Sequence, residues 1–267
     1  MKDKLPVIKA FGQHFLRHPR TQKRIVDTCG ITAQDHVLEI GPGKGAITSL
    51  LAEQAKHLWA IEKDRRLYAY LKNYLTYTNI TFLNENILVF DPVIIPLPFI
   101  VVGNIPYNIS TPILEWLIDH KNMISKAFLT VQWEFGLRLI AKPGTKDYGA
   151  LSCFIQYHGC LKKHFKMSKN EFNPPPKIDS CFIEIDFSQH PSQRARDEVR
   201  LFQIIRFAFH QRRKQLLKVL KRFDAKVRWK EIFERLSFKP TVRAEELTLS
   251  NFIKLADISQ TYFATSP

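Results

Sequence analysis

The chain has 267 residues, 45% of them hydrophobic, with 40 Lys+Arg against 25 Asp+Glu and a formal net charge of +15. That apolar content supports a packed core rather than a disordered chain, the length suits a medium domain plus a smaller one, and the charge predicts an anionic partner, nucleic acid foremost. No apolar run reaches the ~18 residues of a membrane span, and Cys29, Cys153, Cys160 and Cys181 show neither a CxxC pair nor metal spacing, so a monomer in a reducing, cytoplasmic setting is expected, with no metal, disulfide framework or leader segment.

The predicted elements alternate. Residues 20–30 read as a short helix carrying Ile25 and Val26 and closed by Gly30, a residue suited to a C-cap. Residues 36–40 form the first strand and run into Gly41-Pro42-Gly43-Lys44-Gly45, and residues 46–55 follow with helical spacing at Ile47, Leu50 and Leu51. A second strand at 58–61 stops at Glu62. Residues 65–77 carry the stripe of a covering helix, and strands at 80–83 and 99–102 complete the pattern. Strands separated by helices imply a mostly parallel, doubly wound α/β sheet whose ligands sit beyond the C-terminal strand ends. Residues 41–45, Glu62, 84–86 and 103–107 all lie there. Further on, residues 112–120 and 134–141 read as helices, 127–132 as a strand, Pro143-Gly144 as a loop, Pro174-Pro175-Pro176 as an extended loop, and 180–187 as a strand.

After Phe187 the apolar pattern becomes helical, and residues 191–267 hold 17 Lys/Arg against 8 Asp/Glu. A domain boundary is expected at 189–192, separating a sheet domain (1–190) from a small all-α domain (191–267). Between Arg206 and Lys230 there are ten Lys/Arg and a single acid, Asp224. Arg206, Arg212, Arg213, Lys214, Lys218, Lys221 and Arg222 are read as RNA phosphate contacts on the face opposite an apolar one.

Glycines between a strand and a helix let bare backbone approach a ligand. Gly41, Gly43 and Gly45 fit GxGxG and, with Ala46, also the dinucleotide pattern, whereas no Gly-Lys-Ser/Thr completes a phosphate loop. Glu62 lies 21 positions after Gly41, where an acid can accept both hydroxyls of a ribose. The turn therefore predicts an adenosine-containing cofactor.

Asn104-Ile105-Pro106-Tyr107, just past the fourth strand, resembles the Asn-Leu/Ile-Pro-Tyr segment of N6-adenine methyltransferases that use S-adenosylmethionine. Together with Phe11-Gly12-Gln13-His14-Phe15-Leu16, Glu39-Ile40-Gly41-Pro42-Gly43 and the segment 172–180 (FNPPPKIDS), it resembles the ribosomal RNA adenine dimethyltransferase family, in its branch acting on small-subunit (16S) rRNA. The likeness runs from about residue 11 to Gln211-Arg212-Arg213-Lys214. It implies a Rossmann-like S-adenosylmethionine-dependent methyltransferase sheet with a C-terminal all-α domain, the small ribosomal subunit as partner, and dimethylation of two adjacent adenosines near the rRNA 3′ end. Carried over by residue, the resemblance places the cofactor on His14, Leu16, Gly41, Gly43, Glu62, Asn86 and Asn104. It gives the two N6 hydrogens to the Asn104 side-chain oxygen and the Ile105 carbonyl, has Pro106 stiffen the turn, and sets Tyr107 and Phe172 on opposite faces of an everted adenine. Two positions depart from the family pattern. His14 stands where Asn is common, and Asn86 stands where Asp usually accepts from the cofactor's adenine, which predicts weaker cofactor binding. Related readings are the large-subunit (23S) rRNA methyltransferases of macrolide resistance and a non-catalytic assembly factor of the same fold. A nicotinamide dehydrogenase, the fold-level alternative, lacks support, since no second nucleotide-binding half appears in the sequence and residues 104–107 have no role there.

Overall fold

The computed structural model describes Pro6, residues 12–189 and residues 193–262. Phe11 and the expected boundary at 190–192 lie outside the described residues. The chain divides into two compact units, residues 1–136 with 160–189, and residues 137–159 with 190–267.

The first unit is built on seven strands: β2 (His36–Ile40), β3 (His57–Ile61), β4 (Ile80–Leu83), β5 (Phe99–Asn104), β6 (Ile124–Gln132), β7 (Cys160–Met167) and β9 (Ser180–Asp186), in the order β4-β3-β2-β5-β6-β9-β7. The pairs among β2 to β6 are parallel, while β9 runs antiparallel to both β6 and β7. Val37, Leu38 and Ile40 are all buried because a central parallel strand is covered on both faces. The covering helices are α1 (Pro19–Cys29), α2 (Thr48–Gln54), α3 (Arg65–Tyr74) and α4 (Ser110–Asp119). Pro19 opens α1 and Gly30, at φ 61°, closes it in the left-handed conformation. Asp64 caps α3 by accepting the Arg66 N–H at 3.0 Å. A small second sheet pairs β1 (Phe15–Leu16) with β8 (Phe172–Asn173), tying the glycine-glutamine segment near the N-terminus to the proline-rich loop.

β7 escaped the periodicity argument because Lys162, Lys163 and Lys166 interrupt any apolar alternation. It is an edge strand, and such charges keep an edge from pairing with another chain.

The second unit contains α6 (Ala150–His158), α7 (Glu198–His210), α8 (Leu216–Phe223), α9 (Trp229–Arg235) and α10 (Leu249–Ser259), and the division falls within α5 (Trp133–Leu139). A single cut at residue 190 therefore differs from the observed grouping, which gathers residues 137–159 with the C-terminal helices. The cause is packing: Tyr148, Cys153 and Tyr157 are buried in one cluster with Leu201, Ile204, Trp229 and Phe252. The Tyr157 hydroxyl donates to Glu198 at 2.9 Å and accepts the Ala195 N–H at 3.1 Å. Among the described residues no helix is long and apolar enough to cross a membrane.

Candidate active site and nucleic-acid interface

The C-terminal ends of β2, β3, β4 and β5 converge on a cleft of about 250 Å³. His14, Leu16, Gly41, Gly43, Glu62, Asn86 and Asn104, the seven positions expected to hold a cofactor, all line it, as do Ile105, Pro106 and Tyr107. This is the crevice that a doubly wound sheet leaves beyond its strands.

Gly41, Gly43 and Gly45 have φ values of 65°, 62° and 79°. At Gly43 a Cβ would stand 2.9 Å from the Phe15 ring, so this turn closes only without a side chain. The Gly43 N–H donates to Glu62 Oε2 at 3.0 Å, and the Asp64 N–H donates to Glu62 Oε1 at 2.8 Å. Glu62 thus ties the glycine turn to the end of β3. Burial pushes its carboxyl above the usual carboxylate range, and those two N–H donors oppose the shift. Asp64 lies on the opposite side of its ordinary value because Arg66 grips it at 2.7 Å, with Gln13 Nε2 donating at 3.1 Å.

Glu39, the first residue of a motif but not singled out by the sequence, is only 2% exposed and also lines the cleft. Its Oε2 has no hydrogen-bond partner, and neither has the Thr48 hydroxyl. Burial pushes the Glu39 carboxyl up to about 8; the neighbouring Thr48 hydroxyl opposes the rise, and the charge of Glu62 adds to it. A glycine cradle and a carboxylate beyond β3 suit a ligand with a ribose, and the unsatisfied Glu39 carboxyl leaves a polar anchor beside them.

The other half of the cleft is organised around Asn104. Its Nδ2 donates to the His14 main-chain carbonyl at 2.8 Å, which leaves Oδ1 as the amide's acceptor. The His14 ring donates from Nδ1 to the Pro174 carbonyl at 2.8 Å and stacks on Tyr107 with centroids 5.5 Å apart at 24°. The Tyr107 hydroxyl meets Ser180 Oγ at 2.7 Å. The Pro106 carbonyl accepts from Ile109 N–H at 3.2 Å and Ser110 Oγ at 3.3 Å. Asn86 Oδ1 accepts a long bond, 3.4 Å, from Leu88 N–H.

Phe172 departs from expectation. It is 1% exposed and sits in the sheet core with Leu16, Phe165, Met167 and Phe182, not among the residues lining the cleft. Pairing of β8 with β1 points its ring inward, and in this structure the ring parallel to Tyr107 belongs to His14.

In the second unit Arg206, Arg213, Lys214, Lys218, Lys221 and Arg222 are exposed. Arg212 is half-buried instead: its Nε pairs with Glu245, and its terminal nitrogens donate to the carbonyls of Lys146 at 2.6 Å and Thr145 at 3.2 Å. Lys146, His210 and Arg243 join Arg213, Lys214 and Arg222 around an open basic depression. Sequence reasoning missed Lys146 and Arg243 because they lie far along the chain from the basic run.

Sheet order, glycine turn and strand-end cleft together define a Rossmann-like methyltransferase. Residues 7–260 match the model of the family described as Ribosomal RNA adenine dimethylase. The chain belongs to that family. It is 40% identical over 254 residues to the Ribosomal RNA small subunit methyltransferase A of Metamycoplasma arthritidis, covering 94% of this chain and 95% of that one. It is 38% identical over 265 residues to the protein of the same name from Desulforapulum autotrophicum, covering 96% and 93%. Among solved structures, a dimethyladenosine transferase from Plasmodium falciparum superposes with a TM-score of 0.78 at 26% identity, covering 91% of this chain and 96% of that one. The 23S rRNA methyltransferase ErmE superposes with a TM-score of 0.72 at 25% identity, covering 92% and 99%.

Proposed function

We propose that the protein binds S-adenosylmethionine in the strand-end cleft and dimethylates N6 of two adjacent adenosines near the 3′ end of small-subunit rRNA. Support for the small-subunit target comes from relatives bearing that name over more than nine-tenths of the chain. The observation that carries the chemistry is the Asn104 amide, fixed by its bond to His14 so that an oxygen, not a nitrogen, is left to meet the substrate.

S-Adenosylmethionine supplies a methyl carbon made electrophilic by its sulfonium. With the cofactor bound, Glu62 would accept the ribose hydroxyls and the glycine turn would admit its chain. The adenine amine is a weak nucleophile because its lone pair is delocalised into the ring. Asn104 Oδ1 and the Ile105 carbonyl accept its two hydrogens, which localises the lone pair toward the methyl carbon. The Pro106 carbonyl already has two donors, so Ile105 offers the backbone acceptor. Tyr107, held by Ser180 and backed by His14, stacks on the everted base and offsets the few kcal/mol lost on leaving the helix. The proton on the methylated amine passes to water. Exposed Arg206, Arg213, Lys214, Lys218, Lys221 and Arg222 hold rRNA phosphates, which fix register without reading sequence.

The test offers methyl-labelled S-adenosylmethionine with small ribosomal particles, large particles and free RNA. Label in small particles, on adenosine N6 at two neighbouring positions, is the expected result. Label in large particles only overturns the substrate, and no label anywhere overturns the activity.

A further inference from the structure

Beyond the base pocket, the first unit carries an aromatic and basic surface that no part of the proposed mechanism uses. Trp133 follows directly on β6 and is half-buried, whereas Trp59, Trp116 and Trp229 are 9%, 5% and 1% exposed. Two exposed lysines of the edge strand β7 lie over its indole, Lys163 with Nζ 4.7 Å from the ring centroid and Lys166 at 5.1 Å. Such contacts at exposed sites are weak, so both lysines can swing to another anion. Lys166 also reaches Asp179 at 2.8 Å, the one carboxylate in the group, and the main chain of Asp179 accepts the Trp133 N–H at 2.9 Å.

Connectivity places this surface beside the target base. Tyr107 bonds Ser180 Oγ, Ser180 is the cross-strand partner of Gln132, and Trp133 is the next residue. Counting those steps puts the Trp133 backbone within roughly 15 Å of the Tyr107 hydroxyl. An adenine everted onto Tyr107 leaves its flanking nucleotides unpaired at about that range. An aromatic face ringed by cations takes such nucleotides without regard to sequence, stacking the base and neutralising the phosphate.

We infer that Trp133, with Lys163 and Lys166, is a stacking platform for the single-stranded RNA that flanks the methylated adenosine. This rests on the proposed RNA substrate and adds a contact outside the cofactor and base pockets. On binding, a base lies on the indole, and the two lysines move from its face to the neighbouring phosphates. Asp179 releases Lys166 and keeps its backbone hold on Trp133.

The buried state of the other three tryptophans makes the platform directly readable. Full-length protein is titrated with a short, unstructured oligoadenylate while tryptophan emission and binding are followed. Saturable quenching is expected in the wild type and absent in Trp133→Phe, and Trp133→Ala weakens oligoadenylate binding about tenfold. With small particles as substrate, Trp133→Ala raises KM by a similar factor and leaves kcat within about threefold, while S-adenosylmethionine affinity is unchanged. The double change Lys163→Ala/Lys166→Ala weakens oligoadenylate binding but preserves quenching at saturation. Emission that stays constant while oligoadenylate saturates the protein overturns the platform, as does unchanged affinity in Trp133→Ala. If Trp133→Ala does not fold, the quenching comparison with Trp133→Phe decides. A wild type that is quenched yet methylates no particle would sink the methylation reading and leave the platform standing; methylation of small particles without quenching does the reverse.

Discussion

The Asn104 side chain donates through Nδ2 to the His14 main-chain carbonyl at 2.8 Å, joining two residues 90 positions apart in the sequence. This bond decides which atom of the amide faces the cleft. Asp at position 104 keeps the shape but cannot donate, and its carboxylate is repelled by the His14 carbonyl. Asn104→Asp is therefore expected to slow single-turnover methyl transfer at saturating cofactor about 100-fold, the loss typical of a mispositioned reactant. A rate within threefold of wild type would remove Asn104 from the positioning role.

Phe172 does not take the part expected of it, while His14 lines the cleft and stacks on Tyr107. The motif around Phe172 suggests a base-stacking wall, but its ring is packed with Leu16, Phe165 and Phe182. Truncation to Ala should cost about 3–5 kcal/mol of stability, as for other buried Phe side chains. Phe172→Leu keeps most of the volume and should retain both stability and methyl transfer, whereas removal of a true base stack weakens binding by ~1–3 kcal/mol. Thermal midpoints and the KM for small particles, measured on both variants, separate the two roles.

Much of the first unit is legible because its strands are continuous apolar runs and several cleft residues, Gly41, Gly43 and Glu62 among them, sit just past their ends. Gly41 and Glu62 follow from spacing, whereas Asn104 is singled out only by the likeness of residues 104–107 to the methyltransferase segment. Glu39 is not singled out, since a buried carboxyl in a strand looks like any alternating polar residue until its oxygen is found without a partner. β7 was missed because Lys162, Lys163 and Lys166 break the alternation. The grouping of residues 137–159 with the C-terminal helices is not legible in the sequence, because only in three dimensions do Tyr148, Cys153 and Tyr157 pack against Leu201 and Ile204. Arg212 reads as one cation in a basic run, and nothing in that run shows that Glu245 holds it.

The buried Glu39 makes stability depend on pH. Its folded-state carboxyl is raised from the ordinary value near 4.5 to about 8, chiefly by burial. The unfolded chain therefore ionises first, so the contribution of this group is fully present below pH 4.5, declines as pH rises, and is lost by about pH 8. Glu39→Gln removes the titration. The variant should gain on the wild type as pH rises from 5 to 8, by up to a few kcal/mol, and its thermal midpoint should fall less steeply over that range. Parallel midpoint curves for the two proteins would show that Glu39 is already ionised in the fold.

Arg212 and Arg213 are neighbours in sequence and should differ in what they do. Arg213 is exposed in the basic depression, so its loss removes a cation available to phosphate. Binding of RNA by Arg213→Ala should weaken, and the slope of log affinity against log salt should become shallower by about 0.7–0.9, the share of one phosphate contact. Arg212 is held by Glu245 and by the carbonyls of Thr145 and Lys146. Its truncation strands a half-buried carboxylate and two carbonyl acceptors, so Arg212→Ala should lose about 1–3 kcal/mol of stability while the salt slope stays at the wild-type value at temperatures where the protein remains folded. Salt titrations of RNA affinity alongside thermal denaturation of both variants check the contrast, and equal loss of slope in the two would make Arg212 a phosphate ligand like its neighbour.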